Sequence, residues 1–431
     1  MPIPPLRTQT IVTAVLALSL FLGNVAPEPW YVFSVHAKSV KAGQGEMSAE
    51  EAARGALLDT LYYRFDRWKS IFEKKISSLE RLPKTVETET DLMKHYFFLA
   101  ALDVELSHTL GFTSEYKIHK LEEECLANIR QAKKLAKGVL ARPGLTLQQK
   151  AQAYLYLGAA EGYLGILEFG AGNLLQALIN GFRADTHLEE ALALDPQRFD
   201  AYLGLGVYRY SNSRLGGMEN LIMQGGKDLR QAGIFHIEHA IRTGGITTPL
   251  AIKTLVWFYI AEEINPDNAD LPRGHPLSPA VCRQRVLELV NELERRYFQN
   301  PPEEHFIGNK ELAMMKAVQF ILDGRYAEAK LQFEKILKII GFLRHKKGYK
   351  INPQQEKAIK AGLKFCEAML SKTALTARGR SNPSACRKIN SQILFMKNGG
   401  AAFEYDVEKI RDELNSIFYQ RLVDLSRQFS C

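Results

Sequence analysis

The chain of 431 residues is poor in the patterns that mark a metal centre, a nucleotide site or a nucleophile. Its five cysteines (Cys125, Cys282, Cys366, Cys386 and Cys431) are scattered, and no Cys-x-x-Cys pair occurs, which excludes a thiolate zinc knuckle and a thioredoxin-type redox motif. There is no Gly-x-Ser-x-Gly elbow and no Walker-type phosphate loop. Strict alternation of apolar and polar residues, the mark of a half-buried strand, is missing throughout. No sign of charge dominates: 56 basic residues stand against 48 acidic ones, interleaved, for a net charge of +8. A nucleic-acid binder concentrates its excess in one stripe. Here the only dense basic run is Arg344-His345-Lys346-Lys347-Gly348-Tyr349-Lys350, with Lys357, Lys360 and Lys364 beyond it, and it reads as a solvated loop and helix start.

Long apolar runs are also lacking, with one exception at the N-terminus. Arg7 precedes the segment Ile11 to Gly23, and Val35-His36-Ala37 offers small residues before a cut. A positive residue, a short apolar core and such a site predict a secretory signal peptide over residues 1–37. The alternative is an uncleaved tether through residues 9–37, although the core is shorter than the ~20 residues of a spanning helix. No cysteine follows the run, so a bacterial lipoprotein anchor has no attachment point. The expected location is therefore exported, periplasmic or envelope-associated. In an oxidising compartment an odd number of cysteines leaves one thiol free; Cys366 and Cys386 are the only two close in sequence, and whether they bridge stays open.

Helical spacing is what the rest of the chain has in abundance. Leu57, Leu58, Leu61, Tyr62, Phe65, Trp68 and Phe72 recur at three and four, which predicts one stripe of one helix. Leu92, Tyr96, Leu99, Leu102 and Leu106 repeat the pattern, as do Cys125, Ile129, Ala132, Ala136 and Val139. Pro83, Pro143-Gly144, Asp195-Pro196, Gly244-Gly245, Asn300-Pro301-Pro302 and Asn352-Pro353 separate the stripes. Short breaks between apolar helices predict an all-α stack of antiparallel helix pairs. The expected organisation is an N-terminal helical region over 48–145, helical repeats over 146–370, an exposed linker over 371–400 and a C-terminal amphipathic helix over 401–431. That last helix is expected to cap the open end of the stack.

Three segments carry a repeat. Asp195-Pro196 leads into Tyr202, Leu205, Gly206 and Tyr210; Tyr154-Leu155-Tyr156-Leu157-Gly158 is a second copy; Gly324-Arg325-Tyr326 with Ala329 and Phe333 is the third. These residues resemble the tetratricopeptide repeat family, and the chain is similar to exported bacterial proteins built from such repeats. The resemblance implies an α-solenoid, a right-handed superhelix in which Gly158 and Gly206 let paired helices approach, Ala329 gives a small contact and Gly324 takes the tight turn. It also implies a non-catalytic scaffold holding a protein or peptide in a concave groove, with no cofactor, metal or nucleic acid. Repeat geometry places Gln152, Tyr163, Asp200, Tyr210, Ser211 and Glu311 on that groove, with Tyr154 and Tyr202 in the core.

Two rival readings have residues of their own. His236 and His239 lie three apart on one helical face, as a zinc pair would, but they lack the His-Glu-x-x-His order and a third ligand nearby, so no metal is expected. The run Gly158, Gly162, Gly165, Gly170 and Gly172 follows helical residues rather than a strand, and close helix packing accounts for it better than a phosphate cradle. The alternative functions are a glycan-active or glycan-binding helical envelope protein, whose carboxylates would have to converge from distant segments, and a membrane-tethered subunit of an envelope complex.

Overall fold

The computed structural model describes residues 47–111, 119–170, 173–215, 220–221, 225–301, 306–376, 383–401, 408–428 and 431. The signal peptide or tether expected over residues 1–37 lies outside them. The described residues form fifteen α-helices and no strand. They are α1 (Ala49–Thr60), α2 (Asp66–Leu79), α3 (Val86–Leu110), α4 (His119–Leu140), α5 (Leu147–Gly170), α6 (Leu174–Leu194), α7 (Phe199–Leu215) and α8 (Arg230–Thr243). Then follow α9 (Thr248–Glu263), α10 (Pro279–Tyr297), α11 (Lys310–Leu322), α12 (Tyr326–His345), α13 (Pro353–Thr376), α14 (Pro383–Lys397) and α15 (Glu408–Gln428). The chain is all-α, and consecutive helices pack on one another in the manner of an α-solenoid.

The helices form two compact units. The first holds α1–α8, the start of α9 and the end of α10; the second holds the remainder of α9 and α10 with α11–α15. In the first unit α3 pairs with α4, α5 with α6 and α7 with α8, while α5 also touches α3 and α7. Small residues set the closeness of these pairs. A methyl added at Gly158 on α5 would stand 3.1 Å from the carbonyl oxygen of Ala184 on α6, and one at Gly165 would stand 3.2 Å from that of Ala177. Gly158 and Gly165 of the glycine run form a helix-packing seam, as their place among apolar helical residues predicts, and Gly172 lies outside the described residues. Gly324, at φ +75°, makes the turn between α11 and α12, and Ala317, Ala329 and Phe333 are buried.

Two expectations are corrected, and the cysteine pairing left open is settled. The stripe from Leu57 to Phe72 is not one helix: the chain turns over residues 61–65, with Tyr63 buried in the left-handed region at φ 62°. Asp59 makes that corner. Its carbonyl accepts the N–H of Tyr62 and of Arg64, while its carboxylate accepts from Arg64 at 2.5 Å and from the Trp68 indole at 2.7 Å. The periodicity survives because α1 and α2 bury the same kind of face on either side of the turn. Second, the described residues of the linker expected over 371–400 are mostly helical: α13 continues to Thr376 and α14 spans Pro383–Lys397, burying Ala385 and Ile389. Ser, Asn and Lys there are the solvated face of an amphipathic helix. Of the two cysteines close in sequence, Cys366 is a buried free thiol and Cys386 bridges to Cys431.

The C-terminal helix does cover its neighbours. α15 packs on α13 and α14, with Phe418 stacked on Phe365 at 4.9 Å between ring centres. The basic run after Phe342 lies as expected: Arg344 pairs with Glu356, and Lys357, Lys360 and Lys364 stand on the solvated face of α13.

Candidate functional site

In the first unit α1 packs on α3 and reaches the start of α5 through one polar contact. The capping box of Ser48 and Glu51 starts α1, and Ala49, Ala52, Ala53 and Ala56 give it a small-residue face that is buried. From this helix Glu50 reaches Lys94 of α3 at 2.5 Å, and the amide of Gln152 on α5 lies 3.5 Å from the same carboxylate oxygen. At the other end of the segment the hydroxyl of Tyr62 donates to the carbonyl of Tyr297, and its ring meets Phe298 edge-on. Gln152, expected on the groove, is half-buried and lies beside Glu50 of α1.

The tyrosines are exchanged between the expected roles. Tyr163 is only 1% exposed, and with Phe97, Phe98 and Tyr156 it forms an aromatic cluster between α3 and α5. Tyr210 is buried where Gly233 of α8 presses against its backbone. Both are core residues rather than groove residues. Tyr154 and Tyr202, expected in the core, are half-buried and pack on histidines: Tyr154 stacks on His187, and Tyr202 meets His239 at 4.6 Å between ring centres. The motif fixes which positions carry aromatics; the side of the helix turned to the partner decides which are covered. Asp200 is buried too, accepting from the Thr247 hydroxyl at 2.7 Å beside Gly245. Ser211 is half-buried on α7, and Glu311, in the first turn of α11, belongs to the second unit.

The His236–His239 face serves packing. Tyr202 lies against both rings and Phe199 against His239. Burial, then the charge of Arg209, pushes His236 down to about 4, so it is neutral at physiological pH. A carboxylate network lies deeper. Glu161 on α5 is fully buried, bonded to His187 of α6 at 2.6 Å and to Lys133 of α4 at 3.1 Å. Burial opposes its charge, but these two partners outweigh burial and hold the carboxyl below its usual range. It ties three successive helices together.

The surface feature that the sequence reading missed is on α6. Ala177, Asn180, Ala184, Leu188 and Ala191 make its buried face. The opposite face carries Leu175, Ile179 and Phe182 at i, i+4 and i+7, and Leu175 and Phe182 remain 74% and 59% exposed. The signal was in the sequence: once Gly165 fixes Ala177 and Gly181 as the contact side, these three apolar residues have no core left to enter. These large apolar side chains leave an uncovered row on a solvated helix.

What the fold defines is a class, an all-helical chain of sequentially packed helices of α-solenoid type. Comparison with protein-family models, with curated proteins and with solved structures gives no match to this chain.

Proposed function

We propose that the protein is a non-catalytic interaction scaffold of tetratricopeptide type, working outside the cytoplasm and holding a protein or peptide. The observation that carries the binding role is the solvated apolar row Leu175, Ile179 and Phe182 on α6. Tyr163, Asp200 and Tyr210 of the expected groove are buried, so the contact falls on the solvated face of α6, where an amphipathic segment of the partner lays its own apolar side against the row. The compartment is supported by the apolar run Ile11 to Gly23 behind Arg7 and by the Cys386–Cys431 bridge, which persists in oxidising surroundings. The repeat class is supported by the close helix approaches at Gly158 and Gly206, the left-handed turn at Gly324 and the burial of Ala329 and Phe333.

The test uses the mature chain as bait in cross-linking from an envelope fraction, beside a Leu175→Asp/Phe182→Asp variant. A partner captured by the parent and lost by an equally stable variant supports the reading. A partner held equally by both places the contact elsewhere, and no partner at all removes the scaffold role.

A further inference from the structure

In the second unit α15 is laid down along one stripe. Leu414, Phe418, Leu422 and Leu425, at i, i+4, i+8 and i+11, are its buried residues among those described, and the positions between them are half-buried or exposed. Two side chains on this stripe meet distinct features of the surface beneath. Phe418 stacks on Phe365 of α13, and Tyr326 at the start of α12 meets Phe365 edge-on. Nearly one turn further, Arg421 donates to the carbonyls of Ile321 and Leu322 and to the hydroxyl of Tyr326. Those carbonyls stand in the last turn of α11, where the helix dipole favours a cation. The covered surface therefore takes an aromatic ring and, three residues on, an arginine.

The far end of α15 is held covalently. Cys431 bridges to Cys386 at the start of α14, Asn390 donates to the carbonyl of Cys431, and the Ser426 hydroxyl lies 3.3 Å from Oδ1 of Asn390. Cys386 and Cys431 are half-buried, whereas Cys125, Cys282 and Cys366 are unbridged and buried. The bridge is thus the cysteine pair that solvent reaches, and thiol exchange requires access.

We infer that α15 is a ligand tethered to its own chain, latched by the Cys386–Cys431 bridge over a docking groove for an amphipathic helix of a partner protein. The partner helix carries the pattern that α15 displays: an aromatic at i, an arginine at i+3, and apolar residues at i−4, i+4 and i+7. The latch opens by thiol–disulfide exchange with an external dithiol. The dithiol breaks the S–S bond in two steps, supplies two electrons and two protons, leaves both cysteines as thiols and closes to its own disulfide. With the bridge closed, both ends of α15 are held and a free helix does not displace it. With the bridge open, one end is held, and the partner helix competes for the groove. This groove belongs to the second unit and makes no use of the apolar row on α6.

The experiment first follows amide hydrogen exchange of the full chain before and after dithiothreitol. Reduction is expected to speed exchange across α15 by about tenfold or more, while α12 keeps its protection. Unchanged exchange of α15 overturns the latch. A fluorescent peptide of the α15 sequence Glu408–Gln428 is then titrated into the oxidised parent and into a Cys386→Ser/Phe418→Asp chain, whose own helix lacks both bridge and anchor. Binding to the variant is expected to be saturable and about tenfold or more tighter than to the parent, with Arg421→Ala in the peptide weakening it by a similar factor. Equal binding by the two chains, no binding by the variant, or no loss with the Arg421→Ala peptide overturns the groove. If the double variant does not fold, the same titration with the dithiothreitol-reduced parent decides by the same outcomes.

Discussion

Gly206 on α7 and Gly233 on α8 face each other so closely that a methyl on either would stand 2.6 Å from the carbonyl oxygen of the other. No rotamer relieves that contact, because the opposing atom is backbone. Gly206→Ala is therefore expected to destabilise the fold by about 1–3 kcal/mol, the usual cost of overpacking, although alanine is otherwise the better helix former. Gly138 on α4 is the control: a methyl there meets nothing within 4 Å. Gly138→Ala is expected to gain up to about 1 kcal/mol. Urea unfolding of both variants checks the pair, and equal effects would mean that helix propensity, not contact, governs these positions.

That contact also shows how far the sequence carries. Gly158, Gly206 and Gly324 were readable because a close backbone approach or a left-handed turn strongly favours glycine and so leaves a residue-type signature. The identity of the covered tyrosines was not readable. Tyr154 and Tyr156 are two residues apart on a helix that is apolar on several sides, so spacing alone does not say that Tyr156 is buried and Tyr154 half-exposed. The turn at Tyr63 was hidden for another reason: it depends on the side chain of Asp59 meeting Arg64 and Trp68, and it contains neither glycine nor proline. The Cys386–Cys431 pairing depends on how α15 returns to α14, which local sequence does not encode.

The row on α6 gives a prediction about stability as well as binding. Leu175 and Phe182 touch solvent over most of their surface, so Leu175→Asp and Phe182→Asp are expected to shift stability by no more than about 0.5 kcal/mol. By contrast Phe97→Ala, which empties the cluster around Tyr156 and Tyr163, is expected to cost about 3–5 kcal/mol. Thermal melts of the variants measure this. A large loss for Phe182→Asp would show that the row is covered within the folded chain and would withdraw it as a docking face.

The disulfide closes a separation of 45 residues between Cys386 at the start of α14 and the final Cys431. Asn390 reinforces the junction, donating to the carbonyl of Cys431 at 3.0 Å. A loop of that size is expected to contribute about 4 kcal/mol through the unfolded chain. Cys386→Ser or added reductant should therefore expose α14 and α15 to limited proteolysis before α3–α8 are cut. Mass spectrometry of the fragments checks the order, and unchanged cleavage on reduction would mean that Phe418 on Phe365 suffices to hold α15.

Asp103 on α3 is buried beside Lys69, whose ammonium lies 3.4 Å from Oδ1. Burial raises its carboxyl to about 7, and Lys69 only partly opposes that. The unfolded value is about 3.9. Below about pH 4 both states hold the proton and the group has no effect on stability. From there to about 7 the unfolded chain releases the proton while the folded chain keeps it, so stability falls as pH rises, by up to about 1.4 kcal/mol per pH unit for one proton. Above 7 the whole penalty is present. Other carboxylates shift the same curve, so the informative quantity is a difference between variants. Asp103→Asn removes the titration and retains the shape, and its advantage over the parent is expected to grow between pH 5 and pH 8. Denaturant midpoints at the two values measure it. A gap that stays constant with pH would show that Asp103 is ionised throughout, with Lys69 outweighing burial.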